Sequence, residues 1–218
     1  MTDEPGDTST TAGMGSLGTS LVPSALSRRL QPGPDLHEDA LRAFVHARKT
    51  FIAGERVDMT VLAASLGVDR TSLFRWVGKR DALLSEVLWS LAAPTLDQVD
   101  RRAVGAGADR VVTVLTDFTG ALIDTEYFRA FLRREPARAL RLLTTKESHV
   151  QRRFVAVTEA ALREESDAGR MTLTLPCHDL AYLLVRISES FTYTDLITGE
   201  APSGERALAA FRLVLRPA

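Results

Sequence analysis

From Leu36 onward, apolar residues recur at spacings of three and four. Leu36, Ala40, Ala43, Phe44, Ala47, Phe51 and Ile52 fall on one face of an amphipathic helix. Asp35 is its expected N-cap and Gly54 its stop. A short helix follows behind Asp58, carrying Val61, Leu62, Ala64 and Leu66 up to Gly67. Another starts at Asp69 and breaks at Gly78, and a fourth begins near Asp81 with Leu83, Leu84, Val87, Leu88 and Leu91. Pro94 is expected to bend or end it. The same period predicts helices over about 108–125, 126–135, 137–168 (broken near Thr144 and Thr145), 176–197 and 203–215. No run alternates with the period of a strand, so the expected fold is all-α. Three helices at the N-terminal end form a helix-turn-helix unit, followed by a helical C-terminal domain.

The first 35 residues read differently. They are rich in Gly, Pro, Ser and Thr, hold no sustained apolar period, and are expected to form a disordered arm. Gly13, Gly15 and Gly18 spell a GxGxxG string there, but no strand precedes it and no helix follows, so it is read as chance. Arg28 and Arg29 close the arm, either as solvated charge or as a reach towards a DNA groove. The expected organisation is therefore an arm over 1–35, a helix-turn-helix domain over 36–80 and a second domain over 81–218.

Composition narrows the class. The chain has 218 residues, 45% hydrophobic and 25% charged, as in globular domains. No stretch is long and apolar enough to span a membrane, and the N-terminal residues lack the pattern of a secretory signal. Cys177 is the single cysteine, which excludes an internal disulfide framework and points to a reducing cytoplasm. The net charge of −1 neither favours nor excludes nucleic acid, because only a local patch matters.

Such a patch exists between Asp58 and Leu84. Two short helices are separated by Leu66-Gly67-Val68-Asp69, the spacing of a helix-turn-helix whose second helix enters the major groove. Gly67 permits the tight reversal, since glycine tolerates positive φ. Val61, Leu62, Leu66, Val68, Leu73 and Val77 are the expected core. Positions 70–80 carry Arg70, Arg75, Lys79 and Arg80 with no acid among them. Arg70 is suited to guanine or phosphate, and Thr71 and Ser72 to phosphate or bases. Phe74 and Trp76 offer flat groups at the same surface, unless either belongs to the core. Thr60, in the first turn of its helix, offers a hydroxyl and backbone N–H to a phosphate oxygen.

This segment resembles the DNA-binding domain of the TetR family of bacterial transcriptional regulators. The likeness lies in Thr60-Val61-Leu62-Ala63, the turn Leu66-Gly67-Val68, the run Thr71-Ser72-Leu73-Phe74-Arg75-Trp76, and Lys79-Arg80-Asp81-Ala82-Leu83-Leu84. Phe74 stands where the family usually has tyrosine, which removes one hydroxyl, and Arg80, beside Lys79, stands where a lysine is usual. The resemblance implies a homodimer on a double-stranded DNA operator of dyad symmetry, acting as a repressor that a small-molecule inducer releases. A dimer is also expected physically, because one short recognition helix makes few contacts and two half-sites multiply affinity. The last two predicted helices supply the stripes for it, through Leu180, Leu183, Leu184, Ile187, Phe191, Leu208, Phe211 and Leu215, unless these pack only internally.

The stretch from Tyr127 to Thr145 resembles the QsdR-type branch of the same family, regulators linked to degradation of lactone quorum signals. That implies a γ-lactone or acyl-homoserine lactone as inducer. Candidate ligand-site residues are Trp89, Phe118, Leu122, Phe128, Phe131, Phe154, Tyr182, Arg186, Ser190 and Tyr193, with core packing as the alternative for each aromatic.

An enzyme is the competing class. The sequence holds no HExxH, di-iron ExxH pair, P-loop or GxSxG, and His37, His46, His149 and His178 are scattered. No cofactor, metal or catalytic residue is expected. A third reading, a DNA-binding regulator that senses no ligand, would show a filled C-terminal core.

Overall fold

The computed structural model describes residues 23–216, and all regular structure among them is helical. The order is α1 (Ala25–Leu30), α2 (Glu38–Ile52), α3 (Met59–Ser65), α4 (Arg70–Val77), α5 (Arg80–Arg102), α6 (Gly107–Asp124), α7 (Glu126–Arg134), α8 (Pro136–Thr144), α9 (Val150–Asp167), α10 (Cys177–Thr192), α11 (Thr194–Ile197) and α12 (Gly204–Val214).

Local chemistry explains the N-terminal elements. Asp58 caps α3, its carboxylate accepting from the backbone N–H of Thr60 at 2.7 Å and Val61 at 3.2 Å. Asp69 caps α4 through the Ser72 N–H at 2.9 Å and the Ser72 hydroxyl at 2.8 Å. Gly67 turns the chain between them at φ 71°, and Gly78 ends α4 at φ 73°. The cap of α2 differs from expectation: His37, not Asp35, holds that position, its Nδ1 accepting from Ala40 N–H. Leu36 and Ile52 lie outside the core at 40% and 41% exposure, while Ala40, Ala43, Ala47 and Phe51 are buried. Val61 also leaves the expected core and is 66% exposed, whereas Leu62, Leu73 and Val77 are buried.

The arm is corrected in part. Residues 1–22, including the GxGxxG string, lie outside the described residues. Residues 25–30 form α1, with Leu26 and Ser27 buried against α2 and α5. Pro94 does not end α5, which continues to Arg102.

One apolar cluster joins the helix-turn-helix to the body: Phe51, Leu62, Leu73 and Val77 share a core with Leu84, Phe131, Leu132 and Leu142. A second cluster fills the space between α6, α9, α10 and α12 around Leu162, Leu184 and Phe211. At the boundary near 80, Arg80 and Asp81 pair with Glu135, Arg138 and Arg141 of the body. Among the described residues, no helix is long and apolar enough to cross a membrane.

Candidate nucleic-acid interface and effector cavity

The exposed surface of α4 carries Arg70, Thr71 and Arg75, with Lys79 just beyond its end. The Arg70 guanidinium lies 5.6 Å from the centroid of Phe74, which holds it over the helix surface. Phe74 and Trp76 are half-buried and pack against the core, and Trp76 meets His37 at 5.9 Å between ring centroids. Ser72 spends both its N–H and its hydroxyl hydrogen on Asp69. Thr60 is exposed, but its backbone N–H is taken by Asp58, so only its hydroxyl is available to a phosphate. Hydrogen bonds to the charged form hold the carboxyls of Asp58 (from Val61, then Thr60) and Asp69 (from Ser72) below the usual range.

Arg80 is the clear correction. It does not face outward as a phosphate contact. Its guanidinium forms a two-pronged pair with Glu135, both bonds at 2.6 Å, and its Nε donates to the Val57 carbonyl. The two side chains are only 12% and 14% exposed. The adjacent Asp81 pairs with Arg138 and Arg141, and Arg138 also meets Glu135 at 3.2 Å. These pairs bolt the start of α5 to α7 and α8. The Arg80 hydrogen bond holds the Glu135 carboxyl below its usual range, against the opposing push of burial.

Behind the helix-turn-helix lies a cavity of about 40 Å³. Phe51 from α2, Leu88, Leu91, Ala92 and Thr95 from α5, and Ala121, Leu122 and Thr125 at the end of α6 line it. Tyr127, Phe128, Leu143, Val150, Phe154 and Tyr193 complete the wall. Of the ten ligand-site candidates, Leu122, Phe128, Phe154 and Tyr193 reach this cavity. Trp89 and Phe118 stand behind it, Trp89 edge-on to Phe154 at 5.8 Å and Phe118 tilted against it at 5.0 Å between ring centroids. Phe131 packs on Phe51 at 5.3 Å. Tyr182 and Ser190 face outward on α10 and do not join the site. Arg186 also stays out of it and pairs with Glu189 at 2.5 Å. Tyr193 is fully enclosed, and burial raises its hydroxyl far above the ordinary value, so the group stays neutral.

Several buried charges that tie the helices of the body together escaped the sequence reading. Glu86 and Arg153 form a buried pair at 3.1 Å. Glu165 accepts from the Gly107 N–H at 2.7 Å and pairs with Arg110 and Arg170. A signal existed for the first two. Glu86 sits among Leu83, Leu84, Val87 and Leu88, and Arg153 between Val150 and Val157, each a charge on an apolar helix face. Of the expected dimer stripes, Leu180, Leu184, Phe211 and Leu215 are buried within the chain, Ile187, Phe191 and Leu208 are partly buried against the same core, and Leu183 is exposed at 37%. Tyr182 and Leu213, which lie outside those stripes, are exposed at 48% and 66%.

Comparison with known proteins bears on this arrangement. A family model for tetracyclin repressor-like C-terminal domains matches residues 106–216, just over half of the chain. The solved structure of the R. erythropolis transcriptional repressor QsdR from the TetR family is 31% identical and superposes with a TM-score of 0.76, covering 85% of this chain and 99% of that one. No curated protein matches. A helix-turn-helix with a basic, exposed recognition helix, fused through α5 to a body of this family, leaves one assignment: the chain belongs to the TetR family of DNA-binding transcriptional regulators, which bind operators as dimers and are not enzymes.

Proposed function

We propose that this regulator is a repressor whose grip on its operator is released by a small apolar effector of the lactone class, bound in the cavity behind Phe51. The observation that carries the reading is the cavity wall itself. It is built from the body of the protein and from Phe51 of α2, and α2 supports the recognition helix α4. An effector in that space presses on the DNA-binding unit directly. At about 40 Å³ the cavity holds solvent but not a lactone ring, since a single water already needs ~10–15 Å³ of such space. Entry of an effector must therefore displace the lining. A ligand that binds only the displaced arrangement shifts the population towards it.

Leu122, Phe128 and Phe154 supply the apolar wall, and Thr95, Thr125, Tyr127 and Tyr193 are the polar side chains within reach of a lactone carbonyl or ring oxygen. The lactone class rests on the likeness of the Tyr127–Thr145 stretch to the QsdR-type branch. Arg70, Thr71, Arg75, Lys79 and the Thr60 hydroxyl form the DNA-facing set, and Tyr182, Leu183 and Leu213 the outward apolar positions for the second copy.

The test uses operator DNA selected from a random pool, with mobility shift in the presence of γ-butyrolactones and acyl-homoserine lactones. Release by a lactone in the wild type, and its loss in Leu122→Trp with operator affinity retained, is the expected pair of results. Operator binding that no lactone disturbs would discard the effector assignment. Release that persists in Leu122→Trp would move the effector to another site.

A further inference from the structure

The short helix α1 lies outside the three-helix DNA-binding unit, yet it is anchored at both ends. Ser24 caps it, its hydroxyl accepting from Ser27 N–H at 2.9 Å. At this end the Ser24 and Ser27 hydroxyls donate to the two oxygens of Glu86 on α5, at 2.6 and 2.9 Å. Arg153 on α9 closes the cluster. It donates to both Glu86 oxygens at 3.1 Å and to the Ser27 hydroxyl at 2.6 Å, with its guanidinium 5.4 Å from the Trp89 ring. Arg153 and Glu86 are buried, so this end of α1 is fixed to a dehydrated ion pair of the body.

At the other end, Arg29 donates to the backbone carbonyls of Arg75 and Trp76 at 2.8 and 2.9 Å. These belong to the last turn of the recognition helix, whose carbonyls have no partner within the helix. A guanidinium there satisfies two of them at once and opposes the negative end of the helix dipole. The carbonyl of Arg29 then accepts from His37 N–H at 3.0 Å, which ties the same residue to the start of α2.

We propose that α1 is a strap that sets the position of the recognition helix, with Arg29 as a positioning residue for DNA binding that holds the C-terminal end of α4 to the Glu86–Arg153 pair. The strap's contacts do not include Phe51, and it does not depend on any effector. It rests on DNA binding alone.

The test is a two-residue cycle in the full-length protein, read as operator affinity over a range of salt. Arg29→Ala is expected to weaken operator binding about tenfold. The slope of log affinity against log salt stays unchanged, because no phosphate contact is lost. Arg29→Lys restores part of the loss, since an ammonium keeps the charge but not the two-carbonyl fork. Ser27→Ala also weakens binding, and the double variant binds like Arg29→Ala alone, because both changes release one strap. A salt slope lowered by about one in Arg29→Ala would make Arg29 a phosphate contact and overturn the proposal. Unchanged affinity would overturn it as well, and so would a double variant whose loss is the product of the two single losses. Far-ultraviolet circular dichroism on each variant separates these outcomes from unfolding, and the lysine variant keeps the test decisive if the alanine variant unfolds.

Discussion

Replacing Arg80 by alanine separates the two roles open to that residue. On the sequence it stands as a phosphate contact, and in the folded chain it is a bolt between the DNA-binding unit and the body. Its guanidinium holds Glu135 through two bonds of 2.6 Å and also donates to the Val57 carbonyl. Leaving a buried charge without its partner costs about 3–5 kcal/mol. Here Arg138, 3.2 Å from Glu135 and 31% exposed, remains as a second and better-solvated partner. The Val57 carbonyl is left short of a donor, at about 1 kcal/mol. The balance is a loss of roughly 2–4 kcal/mol in Arg80→Ala. The paired replacement Arg80→Met with Glu135→Leu should recover most of it, because neither charge is then stranded.

The acid limb supplies a second readout of the same variant. The Glu135 carboxyl titrates below its usual value in the folded state, so its contribution is complete above the unfolded value of 4.5 and is lost as pH falls through the depressed one. Arg80→Ala shrinks that dependence. Urea denaturation at pH 7 and along the acid limb measures both, and mobility shift against salt measures the DNA side. The bolt predicts reduced stability with an unchanged salt slope. A variant as stable as wild type whose salt slope falls by about one would refute this reasoning and restore Arg80 to the phosphate backbone.

Two further outcomes are expected. Arg70→Ala should cost about 1–3 kcal/mol on the selected operator and relax preference at one position of each half-site, measured by competition with single-base variants; an equal loss on all sequences would make Arg70 a phosphate contact instead. Glu189 is pushed up to about 7 by burial, against the pull of Arg186. The folded protein thus keeps a proton that the unfolded chain sheds near 4.5, and stability falls as pH rises between those values and then levels, by about 3 kcal/mol for a shift of this size. Glu189→Gln should remove that slope, so its advantage over wild type in urea denaturation grows from pH 4.5 to 7; a constant difference across the range would exclude Glu189 as its source.

What the sequence determined by itself was whatever nearby residues control. Asp58 and Asp69 cap α3 and α4, and Gly67 and Gly78 turn at positive φ, through bonds that span a few residues. The helical period of the later segments is equally local, and their bounds fall within a few residues of the observed ones over α6, α7, α8 and α12. Tertiary structure alone decided where opposing faces meet. Arg80 finds Glu135 55 residues away, and Arg153 finds Ser27 126 residues away. No spacing rule encodes those pairs, because they depend on how helices cross. The helix α1 was illegible for a related reason. Six residues do not sustain a helix without tertiary support, and its support comes from Glu86, Arg153 and the end of α4. The aromatic candidates divided in the same way. Composition marks Phe128, Phe154 and Tyr182 alike, but only the packing of α5, α6, α7 and α9 turns the first two onto a cavity, while the third stays on the surface of α10.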